Sequence, residues 1–142
     1  MVCSKRPISR PAAPPVKLAV QKRLVYEDRV PLPRLYLVWP TVGVKNDDSY
    51  ALEVLGSILS SGRTARLTKA LVYDTQAAAT IGARQGSSED VGEFQITVTP
   101  RPGHTLAELE GSIDEIVQRL AREGPTAEEM QKATSGAELG FL

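Results

Sequence analysis

From Val20 to the C-terminus the chain alternates between a two-residue and a helical spacing of its apolar positions. QKRLVYED predicts a strand with Leu24 and Tyr26 on one face and Val25 on the other. After the Pro-Leu-Pro break, RLYLVWP predicts a second strand, apolar on nearly both faces and therefore expected inside a covered sheet. The period then lengthens. Ala51, Val54, Leu55, Ile58 and Leu59 recur at helical spacing behind Asn46 or Asp47 as a cap, and Gly62 is placed to stop that helix. TARLTKALVYD reads as a shorter second helix capped by Thr64. AAATIGARQGS and GEFQITVTP return to the two-residue period, the latter with Phe94, Ile96 and Val98 alternating against polar neighbours.

Two further helices close the pattern. TLAELEGSIDEIVQRLAREG has a capping box in Thr105 and Glu108, a stripe of Leu106, Leu109, Ile113, Ile116, Val117 and Leu120, and Gly124 as its stop. TAEEMQKATSGAELGFL repeats the capping box in Thr126 and Glu129 and has no stop signal before Leu142, so the chain is expected to end truncated, in mid-element. The predicted order is β-β-α-α-β-β-α-α. That order implies an α+β sandwich, with a mostly antiparallel sheet covered by helices on one face. Residues 1–19 stand apart. Pro7, Pro11, Pro14 and Pro15 prevent a ladder or helix there, and the segment is expected to be a linker or disordered tail, leaving 20–142 as one structural unit.

Composition narrows the function classes. Seventeen basic residues balance seventeen acidic ones, so no global field favours nucleic acid, and no apolar run reaches the length of a membrane span. MVCSKRPISRPAAPP carries positive charge but no apolar stretch behind it, so no signal peptide is read; a bacterial periplasmic and a cytoplasmic setting both stay open. The single cysteine, Cys3, gives neither a disulfide framework nor a thiolate metal site.

Candidate chemistry is sparse. A zinc peptidase needs two histidines one helical turn apart and a carboxylate base, and this chain has one histidine, His104, in a loop. SSGRTARL lacks the second glycine and the Gly-Lys-Ser/Thr ending of a phosphate loop. Asp47–Asp48 and Glu128–Glu129 sit in helix first turns, where the helix dipole already accounts for them. No catalytic residue, metal ligand or cofactor site is expected in this chain. Gly62 makes SSGRTARLTKALVYD a reversal between packed helices, with Arg63 and Arg66 as cations that could face a substrate.

Taken together, LPRLYLVWP, ALEVLGSILSSGRTARLTKALVYD, ATIGARQGSSEDVGEFQITVTPRPG and TLAELEGSIDEIVQRLAREGPTAEEMQKA resemble the pitrilysin/insulinase/mitochondrial processing peptidase family of zinc metallopeptidases. The likeness runs from about Lys22 to the C-terminus and is to the half-domain that follows the zinc-binding half. It implies an inverted zincin motif, His-x-x-Glu-His, in the other half. The corresponding helix here, LEVLGSILSSG, has no histidine. The resemblance thus implies that 20–142 is an incomplete C-terminal half-domain, inert alone, completing the substrate chamber of a zinc endopeptidase. Its partners would be an N-terminal zinc-binding half-domain, in the same or a separate chain, and a peptide substrate held with Arg63 and Arg66. Active members carry a Leu-Arg pair on the second short helix and a tyrosine seven residues beyond the arginine. Leu71 and Val72 fall on the pair and Ala79 on the tyrosine, which leaves a non-catalytic scaffold or peptide-binding subunit as the alternative. An isolated half would expose apolar surface that normally meets its partner, so self-association is expected.

Overall fold

The computed structural model describes residues 17–139. The expectations for residues 1–16, and for the few residues beyond Leu139, lie outside the described residues. Three strands form one antiparallel sheet: β1 (Leu35–Val42), β2 (Ala78–Ser87) and β3 (Val91–Pro100), in the order β1-β3-β2. Helices α1 (Asp48–Ser60), α2 (Thr68–Asp74), α3 (Leu106–Glu123) and α4 (Ala127–Leu139) complete the described chain. The α+β class expected from the sequence is what folds.

Alternation explains why β3 is central. Phe94, Ile96 and Val98 are buried on one face, while Gln95 and Thr97 on the other are only half-buried. β1 pairs Leu35 with Val98 and Leu37 with Ile96, and β2 pairs Ile81 with Val98 and Ala83 with Ile96, so the apolar rows align across the sheet. Against this face pack Ile58 and Leu59 of α1, Leu71 of α2, Leu109, Ile113 and Leu120 of α3, and Ala133 of α4. Leu109 and Ile113 are fully buried, and each such side chain contributes about 1.5–3 kcal/mol over its exposed state. The opposite face carries Tyr36 and Val38, both exposed.

The first predicted strand is a correction. Residues 21–30 run without turn, bend or ladder partner, and Leu24, Val25 and Tyr26 are exposed. Alternation predicts a strand only where a neighbouring strand supplies hydrogen bonds, and among the described residues none pairs with this segment. The second helix also differs. It is a π-type turn from Thr68 to Asp74, closed by Thr75 N–H donating to Ala70 O at 3.0 Å, and Thr64 does not cap it. The cap of α4 follows the sequence in full and that of α3 in part, since the Glu108 carboxylate meets His104 Nδ1 at 3.0 Å. Thr105 Oγ1 accepts from Glu108 N, and Thr126 and Glu129 form the reciprocal box at 3.2 and 2.7 Å.

The outer edge of β2 is closed by α1. On β2, Ser60 Oγ accepts from Ala83 N–H at 2.8 Å and lies 3.2 Å from Ala83 O, standing where a further strand would pair. A Cβ on Gly56 would lie 3.0 Å from Ala83 O, so the glycine lets α1 come this close. At the far end of the sheet Gln85 reaches from β2 across Gly92 of β3 to Thr41 of β1, with Nε2 2.8 Å from Thr41 Oγ1. The same nitrogen is 3.0 Å from Ser87 Oγ, which in turn meets the buried Ser49 of α1 at 2.8 Å.

Gly92 is therefore irreplaceable on steric grounds: a Cβ there would sit 2.2 Å from Val42 O and 2.7 Å from Gln85 Nε2. Gly92→Ala is expected to cost about 2–3 kcal/mol through the forced shift of backbone and strut. Gly111, in the exposed middle of α3 with nothing within 4 Å of a Cβ, should behave oppositely. Gly111→Ala should add about 0.5–1 kcal/mol. Urea denaturation of the two variants checks both signs.

Candidate functional site

The reversal after α1 brings together the residues that the sequence singles out. Gly62 takes φ +82°, a conformation open to glycine, and the chain turns back through Arg63, Thr64, Ala65 and Arg66 into α2. Ala65 and Leu67 are buried beneath the turn. The two arginines have different fates. Arg63 is exposed, and its guanidinium lies over the Tyr73 ring, 5.4 Å from the centroid. Arg66 is half-buried. Its Nε donates to Glu129 Oε1 at 2.6 Å, and one terminal nitrogen donates to Glu129 Oε2 at 2.9 Å and to Gly124 O at 3.1 Å.

Glu129 is thus shared between two tasks. It closes the capping box of α4 by accepting from Thr126 N–H, and it receives both prongs of the Arg66 fork. Hydrogen bonding by Arg66 is the largest influence on its carboxyl, followed by an opposing effect of burial and a helping hydrogen bond from the Thr126 backbone; the result is a pKa lowered to about 2. Arg66 is raised correspondingly by its bond to Glu129. Gly124 accepts with its carbonyl while holding φ +75° at the end of α3, so one guanidinium fastens both sides of the α3–α4 turn.

Beside this ion pair lies an open groove of about 460 Å³, lined by Thr64, Lys69, Asp74, Ile116, Arg119 and Glu123 among others. Its charges are largely spoken for. Lys69 pairs with Asp74 at 3.1 Å, and Arg119 with Glu115 at 3.4 Å. His104 does not line this groove; it stands at the entrance of α3, where its Nδ1 is 3.0 Å from Glu108 Oε1. That contact is the leading cause of the lowered Glu108 pKa.

A catalytic zinc needs three protein ligands and an open position. Among the described residues no group of three or more His, Cys, Asp and Glu side chains is placed to hold a metal ion, so the donors present do not fit that group. Val72 is half-buried against the core cluster. Ala79 lies where the register of β2 slips between Ala78 and Thr80, an extra residue of the kind that re-aims a strand. Neither side chain can donate a hydrogen bond.

A protein-family model described as the peptidase M16 inactive domain matches residues 3–136. The chain belongs to this family. No curated protein matches it. Among solved structures, a protease from Helicobacter pylori shares 22% identity over 82% of this chain, with a TM-score of 0.76. A peptidase M16 inactive domain from Pseudomonas fluorescens shares 18% over 74%, with a TM-score of 0.63. A chain of complex III2 from Candida albicans shares 14% over 81%, with a TM-score of 0.67. At these identities the likeness is one of fold. This inactive domain spans 28%, 26% and 29% of those three chains. The family match agrees with the half-domain resemblance read from the sequence.

What sequence reasoning missed is Glu129 as the partner of Arg66. Its place in a capping box already accounted for a glutamate there, and a separation of 63 residues leaves no local signal. The pair sets a pH dependence. A carboxyl whose pKa is lowered on folding stabilises the fold fully above its unfolded value near 4.5, and the contribution disappears as the pH falls towards about 2. Glu129→Gln should flatten that acid limb of the stability curve and cost about 1–3 kcal/mol at pH 7. Arg66→Lys, which keeps the charge but loses the fork, should cost less. Thermal melts from pH 2 to 7 check the ordering.

Proposed function

We propose that this chain is the non-catalytic half of a zinc endopeptidase, packing against a zinc-binding half in the same or a separate chain and closing the far wall of its substrate chamber. The observation that carries the reading is the match of nearly the whole chain to the M16 inactive domain. The donor set agrees with it, since zinc and the base that activates water would both come from the other half. On this reading Arg63 meets the peptide substrate, its exposed guanidinium steadied by Tyr73 and able to receive a backbone carbonyl or an acidic side chain. Arg66 contributes by fixing the turn that presents Arg63, because its Nε and one terminal nitrogen are engaged by Glu129 and Gly124.

A second reading, a peptide-binding or assembly scaffold without cleavage, is favoured by Val72 and Ala79. These occupy the positions that the family resemblance gives to a substrate-facing arginine and tyrosine, and neither is polar.

The two readings separate in one experiment. Zinc content and chelator-sensitive cleavage of a mixed peptide library are measured for this chain alone and for the chain combined with its zinc-binding half. The peptidase reading expects neither zinc nor cleavage in the chain alone, and both in the combination. Arg63→Glu should then raise KM several-fold with little change in kcat, as for loss of a binding contact. Absence of zinc and cleavage from both preparations selects the scaffold. One zinc per chain in the lone protein overturns both.

A further inference from the structure

Seven of the large hydrophobic side chains exposed in the described structure lie in one stretch: Leu18, Val20, Leu24, Val25, Tyr26, Val30 and Leu32. Leu24, Val25 and Tyr26 are 81%, 83% and 91% exposed, too bare for residues that have a partner. The backbone between them has no strand partner among the described residues. Residues 21–30 run without turn, bend or helix, and bends flank them at 19–20 and 31–32. The segment is also moored, since Arg23 makes a two-pronged ion pair with Glu110 of α3 at 2.6 and 3.0 Å. Mooring reduces the conformational freedom that a pairing partner would otherwise have to freeze.

The order of residues identifies the partner. Read outward from Val25, the sequence is complementary to its own reverse. Lys22 mirrors Asp28, Arg23 mirrors Glu27, Leu24 mirrors Tyr26, Val20 mirrors Val30, and Leu18 mirrors Leu32. An antiparallel strand pair places such mirrored residues directly opposite and on the same face. We propose that two copies of this chain pair antiparallel through residues 20–30, with Val25 on the twofold axis. The ladder satisfies backbone groups that have no strand partner in the described chain. Two Lys22–Asp28 pairs close over an apolar centre of Leu24 and Tyr26, and Val20 meets Val30 at each end. A shift of one residue would set Lys22 opposite Glu27 but would send apolar side chains opposite charged ones, so the register is specified. The contact is isologous and closes at two copies, which makes it a dimer and not a filament.

The test is sedimentation of the full chain and of charge-exchange variants, with Arg23 left intact because Glu110 holds it. The proposal expects a monomer–dimer equilibrium. Lys22→Glu and Asp28→Lys should each weaken it about tenfold, since each turns two attractive cross-strand pairs repulsive. A mixture of the two variants, and the double variant on one chain, should recover the dimer. In a second measurement, Val25→Cys in a Cys3→Ser background should oxidise to a disulfide-linked dimer, whereas Lys17→Cys should not. A monomer at every concentration overturns the proposal, as does a dimer indifferent to the exchanges. Hydrogen-exchange protection of 21–29 in a monomer would assign pairing within the chain and overturn it. Protection gained only on adding the zinc-binding half would assign the segment to that half, with the same consequence.

Discussion

One guanidinium joins the two turns on which the helical layer hangs. Arg66 stands at the end of the reversal between α1 and α2, and it reaches both the carbonyl that ends α3 and the carboxylate that begins α4. α1 is already fixed to the sheet through Ser60, and α3 through Leu109 and Ile113, but of the described side chains of α4 only Ala133 joins the buried cluster. An amphipathic helix with so little apolar area at stake depends on polar geometry for its angle of entry. The pair is half-exposed enough to avoid the full desolvation penalty of a buried ion pair and constrained enough to be more than a surface one.

The sheet shows a comparable division between apolar driving force and polar fixing. Alignment of Leu37, Ile96 and Ala83 across three strands sets which face is inside, yet apolar rows alone would tolerate displacement along the strands. Gln85 removes that freedom by bonding Thr41 over the vacant Cβ position of Gly92. The strut works only in one register, because it needs a glycine under it and a hydroxyl at its tip. Both polar devices therefore convert a generally favourable collapse into a single arrangement.

What the sequence disclosed was mostly what is decided within a few residues. The N-cap at Thr105, the capping box at Thr126, the stop at Gly124, and the alternation of β3 were legible because each depends on neighbours at fixed offsets. The pairing of β1 with β3 was not, since Leu35 and Val98 meet only after the helices between them have folded back. The stretch from Gln21 to Asp28 misled for an instructive reason. Its pattern is that of a strand, but a pattern records which face would be buried and not whether a partner is present. At the candidate site Arg63 and Arg66 were visible as cations, while the difference between them came entirely from Glu129, which no local rule could connect to Arg66. Gln76, at φ 53° between α2 and β2, was equally silent, because nothing in its side chain announces a left-handed turn.

The order of strands in space also has a temporal meaning. β2 and β3 are joined by a tight connection, with Ser88 N–H donating to Val91 O, and such hairpins close in about 1–10 μs once both strands exist. β1 is made first and waits. At a synthesis rate of about 5–20 residues per second, Leu35 precedes its partner Val98 by roughly 3–13 s. For that interval the nascent chain carries a strand of Leu, Tyr, Val and Trp with nothing to lean on, and every copy on a polysome is in the same condition. The fold places its most non-local step around its most adhesive segment, so the yield of the native sheet is governed by what shields β1 during those seconds.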